Sequence, residues 1–423
     1  MHKFLKLNVI FLSFPFVLSL YSYAETKQGV ENYTQRKAIR WALENNKSLS
    51  VARREIDQKL GIQMHEGRLS NPDLRVSYSN DAFFENEGES ALEVGFQQKI
   101  PLTNRLKLTR QMAEIEVKLA QLRVKDHERV IERNVALAFN EYALAQAQLK
   151  LSRELFKTTK QYALFIESRL KTGEASLIDH NQIKIELYSV EQEIQVLENE
   201  LLKHLVPLKK LMNLDIGKKI NIIHSFEIPK QLSLSLFSEQ ALLDHPKYKL
   251  QKKLLMLSKI AASKSSAEKW DDLGVELFFE SKDSLNPKNE IEKAQFFGVE
   301  LSMPLPLYHH HSGIVEAAKA KTKMTELKLD SVVLSIKTEE QLWRKMVINL
   351  FNQANIYRQN IKELMATNHA DIEKAYGNGQ IDLTALFRSL EQQFKVESAY
   401  LKMLHDYEEA RVQLCFVSNQ RIS

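Results

Sequence analysis

Apolar residues recur at every third or fourth position through most of this chain, and at every second position in four short stretches. From Leu102 to Thr172 there is no proline and no glycine, the two residues that break helices. Pro101 stands before this stretch and Gly173 after it. Within it Ile131, Val135, Ala138, Tyr142, Ala145 and Leu149 alternate by four and three. A second stripe lies beside the first, at Val130, Leu137, Leu144 and Leu151. The spacing predicts one helix of roughly 100 Å with two adjacent apolar seams, able to pack against neighbours on both sides. No compact domain buries a helix of that length.

The pattern on either side has a fixed order. Val30 to Leu60 reads as a helix, which Gly61, Gly67 and Asn71-Pro72 weaken and end. Then the period falls to two. Leu74, Val76 and Tyr78 alternate with Arg75, Ser77 and Ser79, and Leu92, Val94 and Phe96 with Glu93, Gly95 and Gln97. These are two strands joined by an acidic loop. The long helix follows, and after Gly173 a second helix carries Leu187, Val190, Ile194, Leu197 and Leu201. So short a connection makes the two helices antiparallel. Pro207 is expected to interrupt that second helix.

From about residue 230 the order returns. Phe297-Gly298 through Met303-Pro304-Leu305 echoes Val94-Gly95 through Ile100-Pro101-Leu102, and Gly379 answers Gly173. A second glycine- and proline-free stretch, Ile314 to Tyr376, carries Trp343, Val347, Leu350, Ala354, Tyr357, Ile361 and Leu364 at heptad spacing. We read a tandem duplication. The first repeat covers 25–222, with a strand pair at 73–101, a long helix at 102–172 and a helix at 174–213. The second covers 223–423, with a strand pair at 272–304, a long helix at 314–376 and a helix at 380–415. The fold class is mainly α with a small β part.

Each alternating stretch is near the ~10 residues a tilted strand needs to cross a bilayer. Lipid would take the Leu, Val and Phe face, with Glu, Gln, Arg and Ser turned to water. Four strands cannot close a membrane barrel, since single-chain barrels start at about eight. An open sheet edge in lipid is excluded energetically. The barrel must therefore be shared between chains.

Composition narrows the compartment. Lys3 and Lys6 precede an apolar run from Leu7 to Leu20, and Ser22-Tyr23-Ala24 puts small residues before a cut. This is a secretory signal peptide over 1–24. The only cysteine is Cys415, so there is no disulfide framework. The net charge of +5 is dispersed along helix faces, which gives no nucleic-acid surface. No phosphate loop, zinc-protease helix or nucleophile elbow is present, so neither an enzyme nor a cofactor is expected.

At Asn71-Pro72-Asp73-Leu74, Gly95 to Leu102, Arg169 to Asp179 and Gly298 to Leu307, in that order, the chain resembles the TolC family of outer-membrane efflux channels. The compact length resembles its heavy-metal branch, the CzcC-like and CusC-like channels. The resemblance implies a homotrimer with a shared twelve-stranded transmembrane β-barrel in outer-membrane lipid and a helical barrel in the periplasm. It implies as partners a periplasmic adaptor and an inner-membrane pump of the RND class. The protein would be a passive exit duct, with metal cations as one class of cargo. A duct for type I protein secretion is the alternative within this class. A periplasmic adaptor and a structural coiled-coil protein are the alternatives outside it.

Candidate site residues follow from the turns. Thr172-Gly173-Glu174 and Asn378-Gly379-Gln380 would form the periplasmic tip where an adaptor docks. The family usually has an aspartate six residues after the turn glycine, where it narrows the pore. Asp179 fits that spacing, but its counterpart is Ala385 and the nearest carboxylate is Asp382. Asp179 and Asp382 are thus the pore-gate candidates, and Asp179 has the alternative role of supporting the first turn of its helix. No metal site is expected; the run His309-His310-His311 is the weak candidate.

Overall fold

The computed structural model describes residues 31–81, 89–286, 288, 290–308 and 311–422. The signal peptide expected over 1–24 lies outside the described residues, as do 82–88 of the first inter-strand loop and His309 and His310.

The first half opens with strand β1 (Glu31–Tyr33), helix α1 (Gln35–Asn45) and helix α2 (Lys47–His65). One helix was expected over Val30 to Leu60. It is divided at Asn46, whose backbone is extended and whose side chain accepts from Ser48 N at 3.0 Å and Leu49 N at 3.2 Å. That cap starts a new helix, which runs through Gly61 to His65. Strands β2 (Asp73–Asn80) and β3 (Ser90–Ile100) follow, then the long helix α3 (Arg105–Lys171). Helix α4 (Leu177–Leu211) returns alongside it. Pro207 does not interrupt α4, which carries it within the last two turns.

Strand β4 (Ile220–Ile222) closes the first half, and the second contains helix α5 (Glu239–Asp244), helix α6 (Pro246–Ala267), and strands β5 (Leu273–Leu285) and β6 (Ile291–Ser302). Helix α7 (Ser312–Ile356) then passes through a π-helical turn (Tyr357–Ile361) into helix α8 (Lys362–Gly377), and α9 (Leu383–Val417) ends the described fold. The single long helix expected over 314–376 is therefore interrupted. A π turn inserts one residue and rotates everything after it by about 100°. Leu364, on the heptad seam of the sequence, is consequently exposed, while Met365, Ile372 and Tyr376 become the inward positions.

Helix α3 is the axis of the packing. All six residues of its first stripe, Ile131 to Leu149, are buried, and Leu137, Leu144 and Leu151 of the second are half-buried. Around its middle lies a belt the periodicity did not predict. Strands β1 and β4 pair in parallel, Tyr33 against Ile222. Tyr33, Phe139, Leu208 and Met212 belong to one large cluster of buried apolar residues there. Trp41 Nε1 donates to Met212 O at 3.1 Å, and Asn46 Nδ2 to Leu211 O at 2.9 Å. These bonds close the C-terminal end of α4, whose last carbonyls lack helical partners.

His245 caps α6, its Nδ1 accepting from Lys247 N at 3.2 Å. Burial, with the positive charges of Arg129 and Lys247 nearby, pushes its pKa down to about 3. The folded state holds the neutral ring, while the unfolded chain protonates it near pH 6.5. A depressed histidine pKa means stability is intact above ~6.5 and is lost as pH falls towards 3, by up to about 1.4 kcal/mol per unit. His245→Asn keeps a capping oxygen and removes the titration. Its melting temperature should fall less steeply than that of the wild type between pH ~6.5 and ~4. Parallel slopes would show that His245 does not carry the effect.

Candidate functional site

The four longer strands form one antiparallel sheet in the order β2-β3-β5-β6. Register fixes its two faces. Val76, Val94, Phe279 and Phe297 stand in one row, and Leu74, Phe96, Leu277 and Val299 in the next. The opposite face carries Asp73, Gln97, Glu276 and Glu300 in one row, and Ser77, Glu93, Glu280 and Phe296 in another. Exposure is inverted relative to a soluble sheet. Val76 is 62% exposed and Phe297 75%, whereas Glu276 on the polar face is 2% exposed. Both edges, β2 and β6, are unpaired in the single chain. No described helix is long and apolar enough to cross a membrane. The apolar band of the sheet is thus the surface suited to lipid, and closing it needs further strands.

Sheet and helices are fastened by charge. Arg105, at the start of α3, pairs bidentately with Asp272, just before β5, through its Nε at 3.0 Å and its Nη2. This ties the first strand-to-helix junction to the second half of the sheet. A bidentate arginine–carboxylate pair adds geometric definition as well as energy.

At the far end the two helical hairpins meet. Ile166 and Ile183 of the first pack with Leu383, Leu386 and Leu390 of the second. Tyr162 Oη donates to Glu373 Oε1 at 3.0 Å across the pair. Both turns use the same backbone device. Gly173 has φ +81° and Gly379 φ +71°. Glu174 N donates to Arg169 O at 2.8 Å, and Gln380 N to Ala375 O at 2.9 Å. These bonds satisfy carbonyls at the helix ends, and only glycine takes that φ without strain. Thr172 and Asn378 are the C-caps, and Thr172 Oγ1 donates to Arg169 O at 3.0 Å.

The two aspartates differ in place. Asp179 closes a capping box: its Oδ2 accepts from Ser176 N at 3.1 Å and from Ser176 Oγ at 2.7 Å, while Asp179 N donates to Ser176 Oγ at 3.0 Å. Asp382 is the N-cap itself, its Oδ1 accepting from Ala385 N at 2.8 Å. It is therefore the counterpart of Ser176, not of Asp179. Both support a helix start, as an acceptor near a positive helix end does.

A family model, the outer membrane efflux protein, matches residues 38–214. No curated protein is significantly similar in sequence. Solved channels share the fold over almost the whole chain. CusC superposes with a TM-score of 0.76 at 15% identity, covering 95% of this chain and 96% of its own. The CmeC outer membrane channel of Campylobacter jejuni gives 0.73 at 15% identity, covering 91% and 85%. The open MtrE outer membrane channel of Neisseria gonorrhoeae gives 0.74 at 14% identity, covering 91% and 89%.

One feature of this chain's tip escaped the sequence reading. Leu177 is 63% exposed and Ile178 76% in the first turn of α4, whereas Leu383, in the first turn of α9, is buried. An apolar pair directly after the capping Ser176 was the available signal. His311, the described member of the histidine run, has φ +51° and precedes α7. Among the described residues one group, His405, Asp406 and Glu409, brings three metal-binding atoms within 4.8 Å of one another. His405 Nδ1 lies 3.1 Å from Asp406 Oδ1, so the cluster already contains a partner for its histidine.

Proposed function

We propose that this protein is the outer-membrane duct of a tripartite efflux system, assembled as a homotrimer. The observation that carries this is the sheet with its apolar face outward and both edges open, mounted on helices of ~100 Å. Three chains supply twelve strands, enough to close a barrel. The helices then run through the periplasm, and the duct itself catalyses nothing. The two halves read as repeats of one unit. The turns at Thr172-Gly173-Glu174 and Asn378-Gly379-Gln380 form a ring of six at the periplasmic end and dock an adaptor, with Leu177 and Ile178 adding apolar contact area. Asp179 and Asp382 lie at the narrow end of the pore. An RND-class inner-membrane pump delivers the cargo. Membrane fractionation with gel electrophoresis tests the assembly. A heat-sensitive band at three times the monomer mass in the outer-membrane fraction is expected. A soluble monomer would end this reading. A deletion strain grown against metals and dyes, and tested for protein secretion, separates efflux from a type I secretion duct.

A further inference from the structure

Between the belt and the tip cluster, the two helical hairpins enclose a cavity of about 1350 Å³. Pockets for drug-sized molecules usually measure about 300–1,000 Å³. Four helices supply its apolar wall: Leu149 of α3, Leu201 of α4, Met365 of α8 and Leu401 of α9. Tyr357 and Tyr400 line it as a stacked pair, with ring centroids 3.8 Å apart. The π turn shapes this wall. It begins at Tyr357, and the helix after it brings Met365 to the cavity and leaves Leu364 exposed. π turns recur at functional sites.

The polar groups of the lining are unevenly matched. Arg153 Nη2 pairs with Glu198 at 2.7 Å, and Lys150 Nζ with Glu154 at 4.0 Å. Glu397 Oε1 accepts from Gln393 Nε2 at 3.0 Å. Lys157 of α3 and Lys362 of α8 stand on different hairpins, and neither has an ion pair or a hydrogen bond among the described residues. The hydroxyls of Tyr357 and Tyr400 also lack a hydrogen-bond partner among the described residues. Burial pushes the pKa of both tyrosines up, so their hydroxyls stay protonated and able to donate. The groups left over are donors and cations.

We propose that this cavity binds an amphipathic organic anion, a sulfonate or carboxylate on an apolar body. The body takes the apolar wall and the tyrosine faces, and the acid group takes the unpaired donors. The ligand arrives from solution and not from the bilayer. At 1.5 Å per residue the cavity begins roughly 55 Å along α3 from the sheet, beyond the reach of a lipid. Seated there, the anion touches both hairpins and holds them at one spacing. The site is built within one chain, so it does not rest on the shared-barrel reading.

The test is equilibrium dialysis of naphthalene-2-sulfonate against the full-length protein in lipid nanodiscs, with uptake by empty nanodiscs subtracted. Saturable binding at one site per chain is expected. Lys157→Gln with Lys362→Gln should weaken it about tenfold at ~0.1 M salt and much less at ~1 M, because the screening length falls from ~10 Å to ~3 Å. Both lysines are exposed, so their replacement leaves the fold intact. Naphthalene-2-sulfonamide, the uncharged counterpart, should bind the wild type and the double variant alike. Absence of saturable sulfonate binding by the wild type overturns the proposal, as does equal sulfonate affinity in the double variant. Tighter binding of the matching trimethylammonium cation than of the sulfonate overturns it too. A protein that forms no trimer yet binds one sulfonate per chain supports the site and ends the duct reading.

Discussion

Placing valine at both Gly173 and Gly379 should end export while leaving the assembled protein in the outer membrane. Both glycines hold the left-handed conformation, at φ +81° and +71°. An L-residue there costs roughly 1–2 kcal/mol, and a β-branched side chain fits that region worst. Nothing lies within 4 Å of the Cβ that either substitution would add. The damage is therefore confined to the backbone of the turn. To escape the strain the chain must give up bonds such as Glu174 N to Arg169 O and Gln380 N to Ala375 O. The cluster of Ile166, Ile183, Leu383, Leu386 and Leu390 beneath the turns keeps its side chains. A loss of this size reshapes a docking surface without unfolding helices held by seams further up. Export of a reporter substrate and the heat-sensitive trimer band are the two readouts. Normal export, or failure only because no trimer forms, would remove the docking role from these turns.

The periodicity of the chain carried much of its architecture. The stripe from Ile131 to Leu149 marks the buried face of α3 because a helix in contact with several neighbours must present apolar residues in phase with its turn. The alternation at Leu92, Val94 and Phe96 marks a strand for the same reason with a period of two. That this alternation belongs to an exposed face was not contained in the strands themselves. It came from combining them with an expected signal sequence and helices too long for a compact core.

Tertiary contacts account for what periodicity did not reveal. Strands β1 and β4 are three residues each and lie almost two hundred residues apart, so no local pattern announces them. Pro207 was expected to break α4, yet the segment holding it packs Leu208 and Met212 into the belt core, and packing outweighs the lost hydrogen bond. Of the tip, both glycines were legible because a positive φ has a residue signature. That Asp382 caps α9 was not, because an aspartate before a helix reads alike as a cap and as a pore-lining charge. The hydrogen bond from Ala385 N decides where its side chain points.

The π turn yields the sharpest contrast between what the heptad pattern implies and what the fold does. Val347 and Leu364 both sit on the heptad seam of the sequence. Val347 is 0% exposed, packed with Tyr407, Ala410 and Leu414 of α9, while Leu364 is 69% exposed. Tyr357, the first residue of the π turn, stacks on Tyr400 of α9 with ring centroids 3.8 Å apart. This contact holds the turn in register while the helix beyond it is rotated. Val347→Asp buries an unpaired carboxylate and removes apolar contact, at a cost of about 3–5 kcal/mol. Trimer yield and melting temperature should drop sharply. Leu364→Asp, the same chemical change on the same nominal seam, should leave both within the small range of surface substitutions, about 0.5 kcal/mol. Deleting Gln359 would remove the inserted residue, leaving a continuous α-helix with Met365 still on the seam and Leu364 still exposed. In that background Leu364→Asp should remain mild, while Met365→Asp should be strongly destabilising. If Leu364→Asp harms the otherwise unaltered chain as much as Val347→Asp does, the seam runs straight through Tyr357–Ile361 and the π turn does not set the phase of α8.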